Sequence, residues 1–199
     1  THKLFLVFLF FLNYIPYSKH LHINLAFPNS YYVRFSEKGK MDNMPVIMNE
    51  VKTMLDPSAQ VEPIANPPKT FGAKDVTDLT WKHLMDAYSC TECGRCTAAC
   101  PANITGKLLS PRKIMMDTRD RLEEVGKQIQ LHGPDFSDNK SLLGDYITTE
   151  ELRACTTCNA CVEECPVNIS PLSIILELRR YTIMEQSDAP QEWNLMFNN

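Results

Sequence analysis

The pattern C-x2-C-x2-C-x3-C-P occurs twice, as CTECGRCTAACP at residues 90–101 and CTTCNACVEECP at residues 155–166, and it uses all eight cysteines. Disulfide frameworks belong to short secreted chains with irregular spacing, whereas these thiols fall into two tight, matching quartets. Cysteines two residues apart are poor disulfide partners and good co-ligands of one metal centre. Thiolate sulfur suits iron–sulfur clusters, zinc and copper(I). Structural zinc commonly uses two CxxC pairs with a longer gap between them. Here three cysteines fall within seven residues, a fourth follows after three more, and a proline comes next. The spacing favours a cluster; zinc and an all-disulfide arrangement are the weaker readings. Free thiols in this number fit a reducing cytosol.

What surrounds the quartets is also duplicated. VTDLTWKHLMDAYS predicts a helix capped by Thr77 or Asp78 and running into Cys90. Ser110-Pro111 is an N-cap and first-turn pair opening a helix through about Gln130. In the second unit, Thr148 and Glu151 form a capping box before Cys155, and Ser170-Pro171 opens a helix through about Glu185. The insertion around residues 131–145, LHGPDFSDNKSLLGD, reads as a surface loop. No strand pattern appears from 76 to 187, so the expected fold is all-α.

The start of the chain is different. The sequence begins Thr1-His2-Lys3 without an initiator Met, and LFLVFLFFLNYI (4–15) is an almost unbroken apolar run. A membrane-spanning helix needs about 20 apolar residues. The run is read as the remnant of a final transmembrane helix, in preference to a signal peptide without a cleavage site or a core helix without a polar face. Pro16 ends it, and Tyr14 and Tyr17 suit a membrane interface. Lys19, His20, His22, Arg34, Lys38 and Lys40 follow, which places the downstream part on the cytoplasmic face of the membrane. The expected organisation is a membrane-helix remnant and its exit (1–27), a linker (28–75), the quartet domain (76–187) and a tail (188–199). Pro28, Pro45, Pro57, Pro63, Pro67 and Pro68 punctuate the linker around one short helix, Val46–Leu55, and Met41, Met44, Met48 and Met54 read as packing filler.

The quartets, FGAKDVTDLTWKHLMDAYSCTECGRCTAACP and LRACTTCNACVEECPVNISP, resemble the dicluster α-helical ferredoxin family, which includes the C subunit of heterodisulfide reductase and the iron–sulfur domains of succinate dehydrogenase and glycolate oxidase. The resemblance covers about Val76 to Glu185. In two-cluster ferredoxins the fourth cysteine of each run ligates the other cluster. Carried over, this implies one [4Fe–4S] cluster on Cys90, Cys93, Cys96 and Cys165, and a second on Cys155, Cys158, Cys161 and Cys100. Pro101 and Pro166 turn the backbone so that each fourth thiolate reaches across. With every cysteine used, the resemblance implies electron transfer and no catalytic site of the chain's own. It also implies a soluble catalytic oxidoreductase subunit as partner, often one with CCG repeats, which this chain lacks.

The N-terminus resembles the last transmembrane helix of the nitrate reductase gamma-type cytochrome, through PYSKHLH at 16–22. That resemblance implies haem b ligation by His22 and His2, with partner histidines on missing helices and access to the membrane quinone pool. Twenty residues separate the two histidines, about 30 Å of continuous helix, so they would serve different haems. An alternative is an iron–sulfur subunit merely tethered by the N-terminal helix. A third, of another class, is a zinc-stabilised interaction domain.

Other residues are read more plainly. Trp81 and Tyr88 are expected in the core, and His83 and His132 at the surface. PRKIMMDTRDRLEEVGK (111–127) reads mostly as a solvated basic face. Trp193 and Phe197 in the tail could dock on a partner or on the domain. Arg95 lies inside the first quartet and Glu163 and Glu164 inside the second, so the first-motif cluster is expected to be the easier to reduce. A net charge of −4 and a pI near 5.7 leave no broad basic field for nucleic acid.

Overall fold

The computed structural model describes residues 2–18, 20–33, 39–41, 43–58, 60, 61, 64, 68–134 and 136–197. Lys19, Arg34, Lys38, Pro63, Pro67 and the side chain of Phe197 lie outside these. Among the described residues there is no strand, only an isolated bridge between Leu143 and Ile147, and the architecture is all-α. In chain order the helices are α1 (His2–Tyr14), α2 (Leu21–Tyr31), α3 (Pro45–Leu55), α4 (Trp81–Ser89), α5 (Arg95–Ala98), α6 (Pro101–Ile104), α7 (Pro111–His132), α8 (Thr149–Arg153), α9 (Ala160–Glu163), α10 (Pro171–Met184) and α11 (Gln191–Phe197).

The duplication is visible in the core. Ser110 and Ser170 cap α7 and α10, their hydroxyls accepting from the N–H groups of Lys113 and Ser173 at 3.3 and 3.2 Å. Proline at the first position of each helix needs no N–H partner there. From these caps the two helices run in register, sixty positions apart. Ile114 and Ile174, Met115 and Ile175, and Thr118 and Leu178 are all completely buried. The two helices pack against each other, with α4 on α7 and α8 on α10. The capping box at Thr148 and Glu151 forms as expected, and Lys113 bonds Glu151 at 2.9 Å, tying α7 to α8.

The beginning of the quartet domain departs from the expectation. The cap is Asp75, whose carboxylate accepts from Val76 N in a 3-10 turn closed by a capping box with Asp78; α4 starts later, at Trp81. Trp81 is mostly exposed and stacks edge-on with Tyr32 at 5.3 Å, so it is no core residue. His83 is buried and its Nδ1 lies 3.1 Å from Thr80 Oγ1. The loop after α7 is not wholly at the surface either. Leu142 and Leu143 enter the core through a tight turn over Leu142–Tyr146.

α2 crosses the expected boundary at 27/28 and packs on α4. Its Asn29 is fully buried and accepts from Lys82 Nζ at 2.7 Å, while Lys82 pairs with Asp86 one turn further along α4. Burying a lysine is tolerated because both partners arrive with it. α3 occupies the stretch expected for the short linker helix, but Met41, Met48 and Met54 are exposed there and fill no core.

Gly72 is the tightest point. Its φ is +77°, and a Cβ would lie 2.3 Å from Glu177 O and 2.5 Å from Tyr181 N, backbone atoms of α10 that cannot yield locally. Ala73 N donates to Glu177 O at 3.1 Å, holding the segment there. Gly72→Ala is expected to cost at least about 2 kcal/mol from left-handed strain and overpacking, measured as a lowered thermal midpoint of the cluster-loaded chain.

Candidate metal centre

Each quartet loop is shaped by two left-handed residues at the same two positions. Glu92 (φ 55°) and Gly94 (φ 79°) sit two and four residues after Cys90; Thr157 (φ 56°) and Asn159 (φ 62°) do the same after Cys155. Glycine and asparagine take this conformation readily; glutamate and threonine do so at a cost. The turns coil each loop and aim backbone amides at sulfur. Thr157 N donates to Cys155 Sγ at 3.4 Å. Amides of Glu92 and Arg95 serve Cys90 and Cys93 in the first loop.

Gly94 and Asn159 then start the one-turn helices α5 and α9, which pack on one another and bring the two loops together. Cys90, Cys93 and Cys96 line one small cavity, and the fourth thiol on its wall is Cys165 from the other quartet. In the second loop, Cys155 and Cys161 lie within electrostatic range of Cys158 and Cys100. Cys96 also lies within range of Cys161, so the two thiol groups adjoin. Burial pushes the thiols of Cys90, Cys96 and Cys155 up, and that of Cys161 to about 12. Cys93, exposed, is lowered chiefly by the amide of Arg95. Iron needs thiolates, so loading such thiols releases protons.

All eight cysteines are free, which removes the all-disulfide reading. Among the described residues, no three His, Cys, Asp or Glu side chains are placed to hold a single metal ion. The first four thiols instead stand around a cavity whose wall also includes the apolar Met115, Val167, Ile169 and Pro171. An all-sulfur set around a hole fits an iron–sulfur cluster better than one tetrahedral zinc.

The histidines are not assembled comparably. His2 is exposed at the start of α1, and His22 lies on α2. The chain bends by 73° between His2–Tyr17 and Leu21–Tyr31, so the two do not lie on one continuous 30 Å helix as the sequence spacing suggested. Sequence reading overlooked three arginines of the centre. Arg112 lines the first cavity. Arg119 bonds Glu92 of the first loop at 2.6 Å, and Arg179 bonds the carbonyls of Leu152 (2.9 Å) and Cys155 (2.5 Å) at the second. The register set by the two Ser-Pro caps was the available signal, because it pairs Arg119 with Arg179.

The fold and the centre define an all-α iron–sulfur protein arranged for two clusters. Residues 89–169 match a family model described as a 4Fe-4S dicluster domain, and residues 47–105 match a second of the same description; the chain belongs to this 4Fe-4S dicluster family, and its cofactors are two [4Fe–4S] clusters. It is 33% identical to a probable iron-sulfur-binding oxidoreductase, FadF, of Bacillus subtilis, over 93% of this chain and 28% of that protein. It is 34% identical to the EtfAB:quinone oxidoreductase of Syntrophomonas wolfei, over 66% of this chain and 21% of that protein. The C subunit of a CoB-CoM heterodisulfide reductase of Methanosarcina acetivorans is 34% identical over 54% of this chain and 53% of its own length. The chain thus spans about a quarter of the first two relatives. No solved structure matches it. Both family models begin after residue 46, so the haem reading of His2 and His22 rests on the sequence resemblance alone.

Proposed function

We propose that the chain relays single electrons between a membrane-held, quinone-linked segment and a soluble oxidoreductase subunit of the CCG-repeat type at the cytoplasmic face. The observation that carries this is the crossed, adjoining arrangement of the two thiol groups. In this reading Cys90, Cys93, Cys96 and Cys165 hold one cluster, and Cys155, Cys158, Cys161 and Cys100 the other. When bound, the clusters supply two adjacent one-electron carriers. The protein's part is to bury the thiols, aim amides at them and leave an exposed edge at Cys93 and at Cys158. Iron–sulfur subunits of larger complexes among the relatives, and the quinone in the name of one of them, support the two ends of the relay.

The membrane end rests on α1. All thirteen of its residues are exposed, and Leu4, Phe5, Phe8 and Phe11 line an open apolar groove. Among the described residues no single helix is long and apolar enough to cross a membrane, although α1 and α2 together have the length and composition for a bent span. Thirteen residues span about 20 Å, against a hydrocarbon core of about 30 Å. Tethering by α1 needs no haem at His2 or His22. The cluster-loaded chain is expected to co-sediment with phosphatidylcholine–phosphatidylglycerol vesicles, and Phe8→Glu/Phe11→Glu to lose most of that binding with its iron content unchanged. Equal sedimentation of the variant would refute the tether; a chain that takes up no iron would refute the relay.

A further inference from the structure

The two halves of the centre share their cations at one place and differ at another. Arg119 and Arg179 stand at matching positions of α7 and α10, and each lies near the first cysteine of its own loop. They are placed alike, although Arg119 pairs with the Glu92 carboxylate and Arg179 with the carbonyls of Leu152 and Cys155. At the residue after the helix-opening proline the repeat breaks: α7 has Arg112, and α10 has Leu172, which is buried. Arg112 N donates to Thr97 Oγ1 at 3.2 Å, fixing the base of the side chain beside α5. A Cβ on Gly94 would lie 3.8 Å from Arg112 Nη1, so the guanidinium lies against the first loop. Among the described residues Arg112 is the one cationic side chain on the wall of the first cavity.

The charges suggested by sequence alone sit less favourably. Arg95, exposed as Arg112 is, does not line that cavity and acts on Cys93 at the exposed edge of the loop. Glu163 and Glu164 are exposed as well, and they precede Cys165, which faces the first quartet and not its own. Their fields therefore do not mark the second site as the more negative one. Arg112 does separate the sites. A fixed positive charge at the edge of an apolar cavity stabilises whichever state carries the extra electron, and a buried leucine at the matching position offers the second site nothing equivalent.

We infer that Arg112 is the positioning residue that sets the reduction potential of the first site, Cys90–Cys93–Cys96–Cys165, above that of the second, so that a single electron resides at the first. This rests on the two-cluster relay reading. Because Arg112 is exposed to solvent, the separation weakens as ionic strength rises.

The test is an anaerobic redox titration of the cluster-loaded full chain, followed by EPR, at low and high salt. The wild type is expected to show two potentials. Arg112→Gln should lower the higher one and leave the lower in place, and Arg112→Lys should retain most of the difference. Arg95→Gln should move neither by a comparable amount. The signal that shifts should be the one that Cys165→Ser abolishes. The inference is overturned if Arg112→Gln moves neither potential or both equally, or if Arg112→Lys behaves as Arg112→Gln does. A wild-type chain carrying fewer than two clusters would overturn the relay reading itself, a result read from the iron count before any potential is measured.

Discussion

Cys165→Ser is expected to remove the iron held by the first quartet, and Cys100→Ser the iron held by the second. Each single variant should keep about four of about eight irons per chain, because a cubane bound by three thiolates and one alcohol is poorly held. Iron count alone does not say which cluster went, so the decisive comparison uses pairs. Cys93 and Cys165 share one cavity wall, so Cys93→Ser/Cys165→Ser should lose no more iron than either single change. Cys93 and Cys100 lie in the same run of sequence, yet Cys93→Ser/Cys100→Ser should lose nearly all of it. Self-contained quartets would give the opposite pattern, with Cys93/Cys100 behaving as one site. The physical reason for the crossing lies in the residues after each fourth cysteine. Cys100 has extended backbone (ψ 117°), and Pro101 then opens α6. After Cys165, Pro166, Val167 and Ile169 line the first cavity. Groups that belong to one site behave as a unit in such a cycle, while independent sites add.

The parts of this molecule that local rules govern were legible from the sequence. Two Ser-Pro caps and a capping box depend on contacts within four residues, and all three form. The crossing of the quartets came through family resemblance, because spacing by itself does not say where a fourth thiol points. What escaped was each position whose partner lies far along the chain. Lys82 and His83 sit in a stretch that reads as an ordinary amphipathic helix, yet both are buried, Lys82 because α2 delivers Asn29 from 53 residues away. Leu142 and Leu143 follow a run of loop-forming residues and end in the core. Arg112 looked like one charge among several on a basic helix, and its neighbour Gly94 is what gives it a role. A charged residue carries no local mark of burial, because its burial is licensed by groups that only the fold brings near.

Arg121 is the strongest instance, and replacing it should have the largest effect on stability of any single change outside the thiols. Its side chain is 2% exposed in the middle of what reads as a solvated basic face. It meets Asp75 at 2.7 Å and Asp138 at 2.6 Å, and donates to Lys140 O at 2.8 Å. Asp75 in turn accepts from Val76 N and Leu142 N, so one guanidinium joins the turn before α4, α7 and the loop after α7. Arg121→Met fills the volume but leaves two half-buried carboxylates facing each other without a cation. A loss of about 3–5 kcal/mol is expected, read as a lower urea midpoint with an unchanged slope in the cluster-loaded chain. Adding Asp75→Asn and Asp138→Asn, which keep the oxygen acceptors and remove the charges, should recover more than half of it. Acid gives an independent check. Hydrogen bonds from Arg121 hold the Asp138 carboxyl well below its ordinary value of 3.8. A depressed carboxyl contributes stability that is present above the unfolded value and lost as pH falls beneath it. The wild type should therefore lose stability on acidification below about pH 4, whereas in Arg121→Met protonation relieves the repulsion. The gap between the two proteins should narrow as pH falls through that range, and a gap independent of pH would mean that Arg121 acts by packing alone.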